Sequence, residues 1–467
     1  MSERRTLIRG GYVLTMDPAI GDLEQGDVLV DGTTIVEIGL SLEAQANEVI
    51  DATGMIVMPG MIDTHSHLWH APLRGASAGF WGFQEYLDFF VFPIRPRGRA
   101  DDVYAASYVG AREFILNGVT TSVDFCHPLM SKETADGAIR GVKQSGIRAI
   151  WAYSSSGSQG PDERFDELLA DAPRILEEHF SDADSLVKMG IALTGHIVAQ
   201  ASEENRREVE FARAHRLQMV VHSNSGNHVQ SFYDMGLLGP DIIFAHTNLV
   251  SDVELELMAK TGAVLSSSMQ VEHSLGYSVT ALSRAIAAGV RTTNSIDSVT
   301  MVNPDLLSEA RATYNATRAQ DGQRERNEGR LPIHRREHMP FLTARDVLAL
   351  ITAEPARALG MWDSIGSLAP GKQADIVLLS TGPFGRGVGD AAAHVVTQAH
   401  AGNVDTVLIA GTVHKRGGKP VGTDPEGVYE MNAAARKHYL EGLRASIPSI
   451  AHPGGTAVLG DRATFER

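Results

Sequence analysis

Between residue 58 and about residue 360 the chain repeats one texture: a short β-prone run, then a longer stretch of helical periodicity. Repeats of this kind build parallel sheets, because each strand has to return to the same edge through a crossover helix. Eight runs recur, at 58–65 (MPGMIDTH), 119–126 (VTTSVDFC), 147–153 (IRAIWAY), 189–195 (MGIALTG), 217–222 (LQMVVH), 242–246 (IIFAH), 262–268 (GAVLSSS) and 290–297 (VRTTNSID). Eight units over roughly 300 residues predict an α/β fold with a closed (β/α)8 TIM-like barrel, whereas an open doubly wound sheet usually stops nearer six.

The 467 residues exceed what one barrel needs. Residues 5–57 read as short alternating strands broken by Gly and Asp, and the pattern returns to β from 363 to about 421, after a helix signalled by Thr343 and Asp346. The two β segments are expected to form one small composite β-sandwich domain from 1–57 and 363–422 around a barrel of 58–362. A helix near 426–445 and a Gly/Pro-containing arm complete the segment 423–467, the arm packing on the surface or on a neighbouring subunit of a homo-oligomer.

A formal charge of -16, spread along the chain, disfavours nucleic acid or an anionic membrane as partner and leaves small molecules. The single cysteine, Cys126, has no intramolecular partner to oxidise with, and the start MSERRTLIRGG lacks a secretory apolar stretch, so the expected compartment is the cytoplasm. No run approaches the roughly 18 apolar residues of a membrane-spanning helix.

Function in a barrel belongs at the C-terminal ends of the strands, where the loops open. The first run ends in His65-Ser66-His67, and strand alternation turns both imidazoles to the same side. Later runs end in His222, His246 and Asp297. One such histidine would be an ordinary core residue, but four of the chain's 18 histidines and an aspartate at equivalent strand ends make a set. Neutral imidazoles with one carboxylate suit a divalent metal, Zn2+ before Fe2+, and a position left open for water makes such a site catalytic.

The stretches VMPGMIDTHSHL, GVTTSVDF, VVHS, FAHTN and SIGSLAPGKQADIVLL, with Asp297 on the last strand, resemble the amidohydrolase superfamily and specifically its cytosine deaminase and chlorohydrolase branch. That branch includes guanine deaminase, adenosylhomocysteine deaminase and the triazine hydrolases. The resemblance spans nearly the whole chain and implies a distorted barrel with a composite β-sandwich. It implies that His65, His67, His222 and Asp297 bind one metal ion, that His246 hydrogen-bonds the attacking water or the substrate oxygen, and that Asp297 takes the proton from that water. No lysine stands at the strand ends to bridge a second ion.

One departure affects proton delivery. Deaminases of the branch carry His-x-x-Glu on the fifth strand, and here the motif reads His222-Ser223-Asn224-Ser225. Glu272 and His273, just past the seventh strand, bring a carboxylate from another side, so Glu272 is expected to be the acid/base and His273 a substrate contact. The bland alternative for Glu272 is a surface glutamate paired with Arg284 or Arg291.

Residues 69–92 hold Trp69, Phe80, Trp81, Phe83, Tyr86, Phe89, Phe90 and Phe92, in a chain that is 6% aromatic overall. Trp69 and Trp81 are expected to stack on a planar ligand, while the others pack an inserted helix. Arg74 pairs with a substrate carboxylate or fixes its own loop. Asp124 and His127 follow the second strand and His196 the fourth, near the mouth, where they are expected to orient ligands or, as for His196, to contact substrate. The charge-mixed stretch 321–338 reads as a solvated loop or a subunit contact.

These features point to a hydrolase acting on a carbon–nitrogen bond of a small heterocyclic or aromatic compound, foremost a deaminase. Opening of a cyclic amide and displacement of a halide or alkylamine are close alternatives, which loss of the fifth-strand glutamate favours. A non-catalytic binding protein is the remote one, because such relatives lose metal ligands and this chain keeps them.

Overall fold

The computed structural model describes residues 5–80, 82–155, 164–195, 200–277, 280–331, 342–382 and 389–441. Five N-terminal strands come first, β1 (Arg5–Val13), β2 (Leu23–Asp31), β3 (Thr34–Gly39), β4 (Glu48–Asp51) and β5 (Met55–Pro59). Eight barrel strands follow: β6 (Met61–Ser66), β7 (Val119–Cys126), β8 (Arg148–Ser154), β9 (Val187–Ala192), β10 (Gln218–Ser223), β11 (Ile242–His246), β12 (Val264–Ser267) and β13 (Arg291–Asn294). Near the C-terminus lie β14 (Ile376–Ser380), β15 (Val404–Ile409), β16 (Thr412–Arg416) and β17 (Lys419–Pro420).

Strands β6 to β13 pair in sequence order, every pair parallel. All eight residues of β7 are buried, as a strand covered on both faces requires. The ring is drawn shut between β13 and β6. Asp297 N donates to the His65 carbonyl (2.9 Å), His67 N donates to the Asp297 carbonyl (3.1 Å), and Ile296 N donates to Asp63 Oδ1 (2.8 Å). The first and last strand ends thus meet, bringing His65, His67 and Asp297 together although they are over 200 residues apart in sequence.

The strands from both chain ends form one nine-stranded sheet in the order β17-β16-β15-β14-β5-β1-β2-β3, with β4 on β1. It closes over an apolar core that includes Ile8, Val28, Ile35, Val57, Ile376 and Leu408. The run expected at 58–65 divides at Gly60. Met58 and Pro59 pair with β14 in the composite sheet, and the barrel strand starts at Met61. A Cβ on Gly60 would stand 2.1 Å from Thr120 Oγ1, so only glycine lets the chain pass from one sheet to the other against β7.

Thr343 and Asp346 cap the helix Ala344–Ala349 reciprocally, as their spacing predicts. The helix Pro425–Leu440 returns to the barrel and packs its buried Tyr439 against the segment after β6. Among the described residues no helix is long and apolar enough to cross a membrane.

Candidate active site

The donors stand where strand geometry puts them. His65 and His67 leave the end of β6 on one side of the pleat, His222 and His246 lie at the ends of β10 and β11, and Asp297 follows β13. His65 is wholly buried, and its ring lies 4.9 Å from that of His67, 4.8 Å from that of His222 and 5.2 Å from that of His246. Asp297 Oδ1 lies 3.2 Å from His67 Nε2 and 3.5 Å from His65 Nε2, and Oδ2 lies 3.8 Å from His246 Nε2. His246 and Asp297 both have positive φ, +75° and +62°, in a region that side chains other than glycine's disfavour. Such strain, of order 1 kcal/mol per residue, persists where the surroundings dictate side-chain direction.

These residues fit a divalent ion. Neither ring nitrogen of the buried His65 has a hydrogen-bond partner. His67 Nδ1 lies 2.9 Å from the Phe125 carbonyl, so Nδ1 carries the proton and Nε2 presents its lone pair. That lone pair faces His222 Nε2 at 3.4 Å. Two ligands about 2.1 Å from a tetrahedral zinc would be roughly that far apart. The donor atoms of His65, His67 and His222 lie within 4.8 Å of one another, and so do those of His65, His246 and Asp297.

Electrostatics agree. Burial pushes His65 down to about 3, and burial with neighbouring imidazoles holds His222 well below the usual range, so both rings are neutral, as metal ligands would have to be. Burial alone would raise Asp297, yet the close imidazoles of His65, His67 and His246 hold it well below the usual carboxylate range. Burial would lower His246, but its contact with Glu272 and the charges of Asp297 and Glu272 raise it.

Residues 56–414 match the amidohydrolase family. The chain belongs to that family. It is therefore a hydrolase of carbon–nitrogen bonds other than peptide bonds, and its donor set supports one divalent metal. It is similar to 5-methylthioadenosine/S-adenosylhomocysteine deaminase of Symbiobacterium thermophilum, with 30% identity covering 80% of this chain and 85% of that protein. Similarity to 5'-deoxyadenosine deaminase of Methanosarcina acetivorans is 27%, covering 93% and 98%. Among solved structures, the triazine hydrolase of Arthrobacter aurescens superposes with a TM-score of 0.80 at 21% identity, covering 93% of this chain and all of that one. A zinc-bound adenosine deaminase of Xanthomonas campestris gives 0.79 at 19%, covering 93% and 98%. At these identities the two structures establish the fold.

The remaining expectations separate in this amidohydrolase. Glu272 is 2% exposed and lies 3.4 Å from His246 Nδ1. It is not a surface glutamate: Arg284 pairs with Asp252, and Arg291 with Glu354. His273, expected at the substrate, is exposed on the far side of the same helix, because neighbouring helical residues point about 100° apart. Arg74 is also corrected. Its half-exposed side chain is ion-paired to Glu113 on the helix Ala100–Leu116, the arrangement of a residue that fixes its own loop.

Trp69 likewise offers no face to a ligand. It is fully buried against His70 and Tyr439, and its Nε1 donates to His127 Nδ1 at 3.1 Å. Half-buried His127 stacks on His67, with ring centroids 4.3 Å apart, so Trp69 braces this ring from behind. Phe80, Tyr86 and Phe90 pack in the same apolar cluster, while Phe89 is exposed. Asp124 accepts from Leu68 N (3.0 Å), and burial raises it to about 7. Trp81 and His196 lie outside the described residues. The stretch expected as a solvated loop at 321–338 begins instead inside the helix Leu306–Asn327, where buried Asp321 and Glu325 pair with Arg324 and Arg330, and its residues 332–338 lie outside the described residues.

Sequence reasoning missed His70 and Glu309. His70 is buried with its ring 5.0 Å from that of His67, and its Nδ1 lies 3.0 Å from Ser298 Oγ. Its place three residues after His67 was the available signal. Glu309 supports the helix that carries Glu272, and nothing in its helical sequence context marks it.

Proposed function

We propose that this amidohydrolase is a zinc-dependent deaminase of an adenine-containing nucleoside, replacing the exocyclic amine of the six-membered ring by oxygen. The observation that carries the reading is the convergence of His65, His67, His222 and Asp297 at one end of the barrel, with ionised Asp297 between the donors and His246. The adenine class rests on relatives of nearly equal length whose names are 5'-deoxyadenosine deaminase and 5-methylthioadenosine/S-adenosylhomocysteine deaminase.

A divalent ion bound by these residues supplies Lewis acidity and makes a water acidic enough to attack near neutral pH. Asp297 takes the proton of the attacking water on a carboxylate oxygen. His246, through Nε2, accepts a hydrogen bond from the attacking water and orients it as the new C–O bond forms. Asp297 then passes that proton to the amine nitrogen, the C–N bond breaks, and the amine leaves as ammonia. Half-buried His222 and His127 border the side from which a substrate approaches. The single cysteine, buried in β7, accords with a reducing cytoplasm, and we read the enzyme as a homo-oligomer there.

Ser225 favours a second reading, displacement of a halide or alkylamine from an aromatic ring, which does not require a ring nitrogen to be protonated in the same way. The deciding experiment offers the zinc-loaded chain 5'-deoxyadenosine, 5-methylthioadenosine, adenosine, adenine and chloro- and alkylamino-triazines, and measures ammonia, chloride and amine. Ammonia from the adenine compounds is expected. Chloride or alkylamine release with no ammonia would replace deamination by displacement.

A further inference from the structure

Ser225 removes a carboxylate from the fifth strand, and Glu272 brings one to the other side of His246. The side chain is closed off from solvent and held on several sides. Its Oε1 accepts from Ser268 N (2.8 Å), and its Oε2 accepts from Ser267 Oγ (3.2 Å). The helix that carries it, Met269–Ser274, is only six residues long and has little stability of its own. It is pinned from outside. Glu309, buried on the helix Leu306–Asn327, accepts from Met269 N, from Gln270 N (3.3 Å) and from Gln270 Nε2 (3.0 Å). Two backbone N–H groups at the helix start are thereby satisfied, which fixes the place from which Glu272 reaches out.

His246 stands between two carboxylates, with Nδ1 3.4 Å from Glu272 Oε1 and Nε2 3.8 Å from Asp297 Oδ2. Turning the ring over would exchange Nδ1 for Cδ2 and Nε2 for Cε1, so both contacts would be lost together. One orientation alone gives Glu272 an N–H and turns the other nitrogen toward Asp297.

We propose that Glu272 is a positioning residue for the reaction: it accepts the Nδ1–H of His246, locks the ring, and leaves Nε2 as the nitrogen aimed at Asp297 and the reacting atoms. This rests on the assignment of His246 and Asp297 in the preceding reading. Glu272 therefore compensates for Ser225 through His246 and does not touch the substrate. Partners that orient a functional imidazole through its second nitrogen typically contribute 10- to 100-fold to activity.

The test uses the full zinc-loaded chain, its Glu272→Met and Glu272→Ala variants, and 15N-labelled histidine, with the His246 signals assigned by His246→Gln. In the wild type, His246 is expected to show a protonated Nδ1. In Glu272→Met and in Glu272→Ala, neither of which offers an oxygen to accept that proton, the two tautomers should become a mixture. Both variants should keep one zinc per chain and lose at least about tenfold in kcat, with KM within about twofold. An unchanged His246 tautomer in either variant, or a kcat within twofold of wild type, overturns the proposal. If Glu272→Ala does not fold, the nearly isosteric Met variant decides. If the wild type deaminates no adenine compound, the deaminase reading fails, and the nitrogen spectrum still decides whether Glu272 sets the orientation of His246.

Discussion

His67 Nδ1 and the Phe125 carbonyl oxygen are 2.9 Å apart, and this one contact between the first two barrel strands decides which nitrogen of His67 is free to bind a metal. A backbone acceptor cannot rotate away, so Nε2 points at His222 whether or not an ion is bound. His67→Ala should therefore reduce zinc from one per chain to a small fraction. Chelation of the wild type should lower both activity and Tm, and added zinc should restore both, because binding to the native state alone stabilises it. Plasma emission and calorimetry measure the two. A variant that retains full zinc would remove His67 from the ligand set.

Asp297 is held ionised by its imidazole neighbours, so its carboxylate oxygens are free of a proton at neutral pH. Asp297→Asn keeps the shape and removes the base. Turnover should fall by at least about 1,000-fold while urea unfolding stays cooperative. Activity within tenfold of wild type would assign proton acceptance to another group.

Arg74 gives the opposite expectation. Its exposed pairing with Glu113 is of a kind that contributes about 0–1 kcal/mol. Arg74→Ala should leave kcat and KM within about twofold and shift the unfolding midpoint only slightly. A large rise in KM would return it to the substrate site.

The barrel and its donor set were legible because their signals are local. Each strand is a short β-prone run, and each donor sits at its end. Arg74 and His273 were misplaced because their positions depend on loop and helix direction. One residue of rotation along Met269–Ser274 separates buried Glu272 from exposed His273. Trp69 was read as a ligand platform because composition records an aromatic cluster but not what covers it, and the helix that brings Tyr439 against Trp69 lies some 370 residues further on. Glu309 was invisible for a similar reason. Its partners are backbone N–H groups of a distant helix, and no residue type marks those.

Glu208 yields a prediction about stability and pH away from the metal donors. It lies on the helix Glu203–His215 with no exposed surface, and its carboxylate accepts from Ser155 Oγ (2.5 Å), Thr194 N (2.9 Å), Thr194 Oγ1 (2.8 Å) and Asn205 Nδ2 (3.2 Å). These bonds tie together the segments just past β8 and β9. Burial outweighs the hydrogen bonds and raises the group to about 7, against an ordinary value of 4.5. The native state thus binds more protons than the unfolded state between those values, and the contribution of Glu208 to stability is full below about pH 4.5 and declines as pH rises through about 7. Glu208→Gln removes the titration and turns an amide toward four donors. It should cost about 1–3 kcal/mol at pH 5, and the difference from wild type should shrink by pH 8. Urea midpoints at the two pH values measure it. A deficit that is the same at both would mean that Glu208 has an ordinary titration in the folded chain.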